Sequence, residues 1–309
     1  MIDQSSPSGD RLDSQAMKVG VVLPQSADDG EGGSWAEIAA LARHAEAGGI
    51  DSLWVCDHFF FREDDGHEVG IHEAWTLLTA VAAITERVEL GTLVLATSFR
   101  NPGLLAKMAA TADEVAGGRL ILGLGCGWYE TEYDAFGYPF DHRVGRFEEA
   151  IGIIAPLIHG ERVTSRGDWS RVDDAVLLPA PRRTNLPILV AAKGERMLGL
   201  TARHADQWQT AWFGLPDARW TERHDGLLEA CRAEKRDPAT LELTVGVDVR
   251  KPSAPADAAA RNLALDAGAL ADGLATWAAE GVDHVQLGLA LHTRETLDVV
   301  LEAVSRFRG

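Results

Sequence analysis

Asp57 and His58 stand directly after a short apolar run at 52–56. A carboxylate beside an imidazole is a pairing suited to proton transfer, because the imidazole titrates near neutrality and the carboxylate fixes its orientation. Other apolar runs end in similar punctuation. Thr92, Thr97 and Ser98 close the run at 88–95, and Gly123, Gly125 and Gly127 close the run at 120–124, where the missing side chains let a bound molecule touch backbone. Ala191-Ala192-Lys193-Gly194-Glu195-Arg196 leads from another apolar run into an amphipathic segment, the arrangement in which the N–H groups of a helix start hold an anion. Trp128 and Trp212 also follow run ends and offer apolar faces to a substrate, while His72, next to Glu73, is a further candidate in a long loop at 59–73. Cys126 sits between Gly125 and Gly127 with no basic neighbour in sequence, so contact with a ligand and simple space-filling are both open to it.

The elements that must position these groups form one repeating pattern. Strand-like runs occur at 18–23, 52–56, 88–95, 120–124, 187–191, 205–209, 241–247 and 284–289. Several are too continuously apolar to have one wet face, which marks parallel strands covered on both sides. Amphipathic segments such as 35–47 and 146–158 lie between them. Eight alternating units predict an α/β fold, a (β/α)8 TIM barrel with insertion loops at its C-terminal face, where such folds keep their chemistry. The sixth run, ADQWQ, is the shortest and most polar. A doubly wound sheet is disfavoured, because PQSADDGEGGS, a long loop, follows the first strand in place of a GxGxxG turn.

The chain has 309 residues, against roughly 250 for a typical barrel, so one domain at 17–309 accounts for it. Residues 1–16, rich in Ser, Asp and Gln, read as a disordered N-terminal extension. The stretch 163–185 contains GDW and PAPRR, which break helix, and is expected to form a lid excursion over the barrel mouth. A formal charge of −18 argues against nucleic acid as a partner. No run approaches the roughly 20 apolar residues of a membrane span, and three Cys without a CxxC pair suit a reducing compartment, so a cytoplasmic location is expected.

Three segments carry a more specific signal: WVCDHF at 54–59, LGTLVLATSFRNPGLLAKMAATADEVAGGRLILGLGCGWYETEY at 90–133, and PILVAAKGERMLGLTARHADQW at 187–208. Together they resemble the luciferase-like monooxygenase superfamily. The DHF, RNP, GGRL and GWYE elements are most similar to its coenzyme F420-dependent oxidoreductase branch.

The resemblance implies hydride transfer between reduced F420, a deazaflavin, and a small organic substrate. FMN is the alternative cofactor, which would bring oxygen-inserting chemistry, and a non-catalytic flavin-binding barrel is the alternative of another class. By the same resemblance His58 lies beside the reactive ring as proton carrier, Asp57 holds cofactor hydroxyls or the ring edge, and Thr92–Leu93 is a non-prolyl cis peptide beneath the ring. Gly125, Cys126 and Gly127 would flank the ring, and Ala191, Ala192, Lys193, Gly194 and Glu195 would hold the cofactor phosphate. Relatives commonly show two adjacent glycines at that place, where this chain has Lys193-Gly194. Arg182, Arg183, Lys193 and Arg196 are expected to meet the acidic tail of the deazaflavin. F420-dependent sugar-phosphate dehydrogenases carry a catalytic Glu where Trp128 stands and a Trp where Arg62 falls, so a less charged, partly apolar substrate is expected here. A homodimer is expected from family habit and from the apolar stretch 106–112.

Overall fold

The computed structural model describes residues 16–26, 33–62, 65–250, 261–290 and 292–309. The extension expected at 1–16 therefore lies, except for its last residue, outside the described residues. Eight parallel strands run β1 Lys18–Val22, β2 Ser52–Val55, β3 Glu89–Thr92, β4 Leu120–Gly125, β5 Ile188–Ala191, β6 Gln207–Phe213, β7 Glu242–Arg250 and β8 His284–Leu289. Each pairs with the next, and β8 pairs with both β7 and β1, which closes the barrel. Nine helices are described: α1 Trp35–Ala47, α2 Ala74–Ala82, α3 Pro102–Val115, α4 Glu130–Phe136, α5 Arg143–Ile158, α6 Glu195–His204, α7 Ala218–Ala233, α8 Ala267–Ala279 and α9 Arg294–Arg308. The (β/α)8 reading holds. No helix among the described residues is long and apolar enough to cross a membrane.

All eight runs became strands. The weakest, at 205–209, begins two residues late and extends through Thr210, Ala211 and Trp212 to Phe213. Its alternation explains the mixed composition, since Trp208 stacks on Trp220 of α7 while the flanking Gln207 and Gln209 are buried on the other face.

Inside the barrel Val22, Trp54, Leu93, Ile121 and Leu189 form a cluster separate from the larger core beneath the helices. Trp54 fills the width of this space. A Cβ on Gly91 would lie 2.1 Å from Trp54 Cζ3, and one on Gly20 2.6 Å from Trp54 Nε1, so only glycine fits at either position. The Trp54 indole N–H donates to Ser52 Oγ at 2.7 Å, and Ser52 Oγ in turn meets His284 Nε2 at 2.7 Å.

His284 is fully buried, and burial together with nearby Lys18 pushes its imidazole pKa down to about 3. The unfolded chain, whose histidine titrates near 6.5, therefore binds more protons than the folded one between those two values. Stability through this group is complete above pH 6.5 and is lost as pH falls toward 3, by about 1.4 kcal/mol per pH unit. Urea unfolding at pH 6 and pH 4 checks this: His284→Gln is expected to flatten the acid loss by roughly 2–3 kcal/mol, and equal slopes contradict it.

The long loops are ordered into two antiparallel hairpins, Phe60–Arg62 with Glu68–Gly70 and Val163–Arg166 with Arg171–Ala175. The second lies in the stretch 163–185 that was expected to form a lid excursion. Its tip is pinned to the second turn of α5, where Glu149 accepts the N–H groups of Asp168, Trp169 and Ser170 at 2.8–2.9 Å. Trp169 packs against Gly145 and the Arg146 guanidinium, so the excursion lies along the flank of α5, with its tip reaching that helix's first turn.

Candidate active site

The chain leaves β2 through Cys56, whose backbone is bracketed by the Gln25 side chain: Cys56 N donates to Gln25 Oε1 and Gln25 Nε2 donates to Cys56 O. This fixes the direction in which Asp57 and His58 diverge. The two residues do different work.

Asp57 was expected at the mouth, and this is corrected. Its side chain is fully buried and already saturated, with Arg100 Nη1 at 2.7 Å, Arg100 Nη2 at 2.9 Å and Ala96 N at 2.9 Å. Arg100 also donates to Glu73 Oε1 at 2.5 Å. Burial raises the Asp57 carboxyl above its ordinary range, against the lowering pull of the bidentate Arg100 guanidinium. The two carboxylates hold the Arg100 guanidinium above its ordinary range. Asp57 thus ties the end of β2 to the segment after β3.

His58 turns to a different carboxylate. Its Nδ1 meets Glu132 Oε1 at 2.9 Å, and Glu132 Oε2 accepts the Phe59 N–H at 3.0 Å. Glu132 is 1% exposed. A carboxylate on Nδ1 selects the tautomer with its proton there and leaves Nε2 as the exchanging nitrogen. Phe61 and Trp128 wall the ring, with centroids at 4.5 and 5.6 Å. Sequence reasoning missed Glu132. The signal was present, since α4 starts at Glu130 and buries Glu132 and Tyr133 on its inner face.

The non-prolyl cis bond falls one residue later than expected, at Leu93–Val94, and a second one joins Ala211 to Trp212. Thr92 is corrected as a ligand contact, because its hydroxyl donates to Gly123 O at 2.8 Å and accepts the Gly123 N–H at 3.0 Å, stitching β3 to β4. Leu93 joins the interior cluster, and Val94 packs over Gly123 and Gly125, where a Cβ on Gly125 would lie 2.7 Å from Val94 Cγ2. Gly127 adopts φ +73°, and a Cβ there would meet the Tyr133 hydroxyl. Cys126 is half-buried, and burial pushes its thiol up, away from reactivity.

Ala191 ends β5, and Ala192 is corrected as a ligand contact because its N–H donates to Gln209 O and its C=O accepts from Trp208 Nε1. Lys193, Gly194 and Glu195 are exposed. Whereas Asn101 and Asp217 cap α3 and α7, α6 begins at Gly194 with no side chain taking its first N–H groups. The space beside Gly194 is open, with nothing within 4 Å of a Cβ position. Partial desolvation of its ammonium, with Arg223 and Arg219 nearby, pushes Lys193 down although the residue as a whole is exposed. The other expected cations are elsewhere: Arg182 pairs with Glu114, Arg183 is held by Asp113 and Gly118 O at the opposite end of the barrel, and Arg196 pairs with Glu148. The tail contact expected of Arg182 and Arg183 is therefore corrected; Arg219 and Arg223, which sequence spacing could not connect, lie nearer Lys193, Arg219 paired with Asp217 and Arg223 donating to Thr210 Oγ1 and Ala211 O. His72 lies at the rim, where its Nε2 meets Gly33 O at 2.8 Å. Trp212 is 39% exposed and Trp128 63% exposed.

Residues 17–298 match the model of the luciferase-like monooxygenase family. The chain belongs to that family. This luciferase-like chain is 35% identical over 221 residues to the F420-dependent glucose-6-phosphate dehydrogenase of Kineococcus radiotolerans, covering 69% of this chain and 64% of that relative. It is 32% identical over 170 residues to the 5,10-methylenetetrahydromethanopterin reductase of Methanolobus tindarius, covering 55% of this chain and 48% of that one. The matches thus span less than two thirds of these relatives' own length. Among solved structures, an F420-dependent secondary alcohol dehydrogenase in complex with an F420–acetone adduct superposes with a TM-score of 0.81 at 19% identity, over 96% of this chain and all of that one. The monooxygenase RslO1 from Streptomyces bottropensis superposes with a TM-score of 0.76 at 21% identity, over 95% of this chain and all of that one. At such identities the luciferase-like barrel itself is what is shared.

Proposed function

We propose that this luciferase-like barrel is an oxidoreductase that uses coenzyme F420 to reduce or oxidise a small, uncharged organic substrate. The observation that carries the reading is His58, oriented through Nδ1 by the buried Glu132 and walled by aromatic rings at the C-terminal end of the strands. The residues present fit the cofactor. Val94, packed over Gly125, offers an apolar surface, and the uncapped α6 start with Lys193 offers positive charge to a phosphate. Arg219 and Arg223 would extend that charge toward an acidic tail, and kinship to relatives named F420-dependent supports the same choice over FMN.

When bound, F420 supplies a ring carbon that gives or takes a hydride. The chain does the rest. His58 Nε2 donates or accepts the proton that accompanies the hydride, Glu132 holds the imidazole in register, and Phe61 and Trp128 keep water from the reacting face. Dimerisation accompanies this reading, since α2 and α3 leave a shallow groove lined mainly by apolar atoms, including Trp75, Ala80, Met108 and Val115.

Anaerobic oxidation of reduced F420 by a panel of ketones, enones and imines tests the function. Turnover with an uncharged acceptor and none in reverse with glucose 6-phosphate is expected; robust dehydrogenation of that sugar phosphate, or no turnover with any acceptor, contradicts it. Sedimentation of the same preparation at micromolar concentration should give about twice the chain mass.

A further inference from the structure

The second aromatic wall of the mouth rests on features that the proton-carrying machinery does not use. Trp212 follows the cis bond from Ala211, and its indole projects over the ends of β7 and β8. A Cβ on Gly246 would lie 2.8 Å from Trp212 Cε3 and 2.9 Å from Cζ3, and one on Gly288 would lie 3.1 Å from Cζ3 and 3.4 Å from Cη2. The benzo edge of the indole is therefore seated on two glycines that face the barrel interior, one on each strand. Their strand registers agree, since Gly246 pairs with Gln286 and Asp248 pairs with Gly288. No larger residue at either place leaves the ring where it is. More than a third of Trp212 remains exposed, although its benzo edge is covered.

The surroundings set the chemistry of what this wall meets. Trp128 and Phe61 are stacked at 6.2 Å beside His58 on the β2 and β4 side of the mouth. Of the charged groups near these walls, Arg62 pairs with Glu68 at 2.6 Å, Arg250 pairs with Asp248 at 3.2 Å, and Arg223 donates to Thr210 Oγ1 and Ala211 O, just before Trp212 in the chain. A pocket with aromatic walls favours an uncharged, flat guest, and penalises one that brings an unpaired anion.

We propose that Trp212, seated on Gly246 and Gly288, is the specificity-determining wall of the substrate pocket, and that the pocket takes flat, uncharged, cyclic or aromatic acceptors. This rests on the proposed function for the location of the pocket, but not on the identity of the cofactor. In Gly288→Ala the new methyl comes within 3.1 Å of Trp212 Cζ3, so the indole must give by a few tenths of an ångström.

Calorimetric titration with 2-naphthol, a flat and redox-silent probe, tests the wall without turnover, using the protein loaded with oxidised F420 and again without it. Trp212→Ala is expected to weaken 2-naphthol by about tenfold or more, Gly288→Ala by about threefold or more, and Trp212→Phe by less than about threefold. All three variants should keep F420 affinity within about twofold of the parent chain, and 1-naphthyl phosphate should bind the parent at least about tenfold more weakly than 2-naphthol. The wall is overturned if Trp212→Ala binds 2-naphthol within about threefold of the parent, if the parent does not bind it below about 1 mM, or if the phosphate binds as well. Failure to bind F420 while 2-naphthol stays sensitive to Trp212 overturns the cofactor reading and leaves the wall standing.

Discussion

His58→Gln is expected to lower turnover with reduced F420 by about 10²–10⁴-fold, the usual worth of a positioned proton carrier, while cofactor affinity stays within about threefold. Glutamine keeps much of the bulk between Phe61 and Trp128 but cannot titrate. Glu132→Gln should fall between that variant and the parent, and for a specific reason. The carboxylate accepts two protons from two donors, His58 Nδ1 and the Phe59 N–H. An amide has one accepting oxygen, so its NH2 must face one of those donors. The imidazole is then free to turn, and kcat drops by about tenfold or more while KM changes little. Steady-state kinetics on both variants, alongside F420 titration, decides the matter. If His58→Gln retains more than about a tenth of parental kcat, the proton role belongs to another group.

Arg100→Met is expected to cost about 3–5 kcal/mol in urea unfolding, because it strands the fully buried Asp57 carboxylate and removes a partner of Glu73. The companion variant separates lost packing from stranded charge. With Asp57→Asn added, most of the loss should return, since the buried group then carries no charge. A loss below about 1 kcal/mol for Arg100→Met, or no recovery in the double variant, shows that the pair is not what holds the end of β2 against the segment after β3.

The barrel was legible because its signals are local. Continuous apolar runs with Gly, Thr or Asp at their ends mark buried parallel strands whether or not their neighbours are known. Gln207–Phe213 was read short because its inward glutamines alternate with outward tryptophan, and composition alone registers that as polarity. Site geometry was less legible, for a different reason. Asp57 and His58 are adjacent in sequence, yet one turns down to Arg100 and the other up to Glu132, partners 43 and 74 residues away. Nothing in the spacing fixes which carboxylate orients the imidazole. The cations failed likewise: Arg182 and Arg183 are near Lys193 in sequence but the chain crosses the whole height of β5 between them, whereas Arg219 and Arg223 return from α7 to the same end. Trp212 was found as an aromatic after a strand, but its glycine seat on β7 and β8 is a contact between strands that only closure of the barrel creates.

Cofactor choice is the point on which the chemistry turns, and a paired titration of the apoprotein with oxidised F420 and with FMN reads it directly. Both phosphates would occupy the α6 start at Gly194, so the difference must come from the ring and from the acidic tail that Lys193, Arg219 and Arg223 are placed to meet. F420 is expected to bind at least about tenfold more tightly than FMN, and Lys193→Ala with Arg219→Ala and Arg223→Ala should erase most of that margin. If FMN binds at least about tenfold more tightly, or if the triple substitution leaves F420 affinity unchanged, the deazaflavin account is contradicted and oxygen-inserting flavin chemistry takes its place.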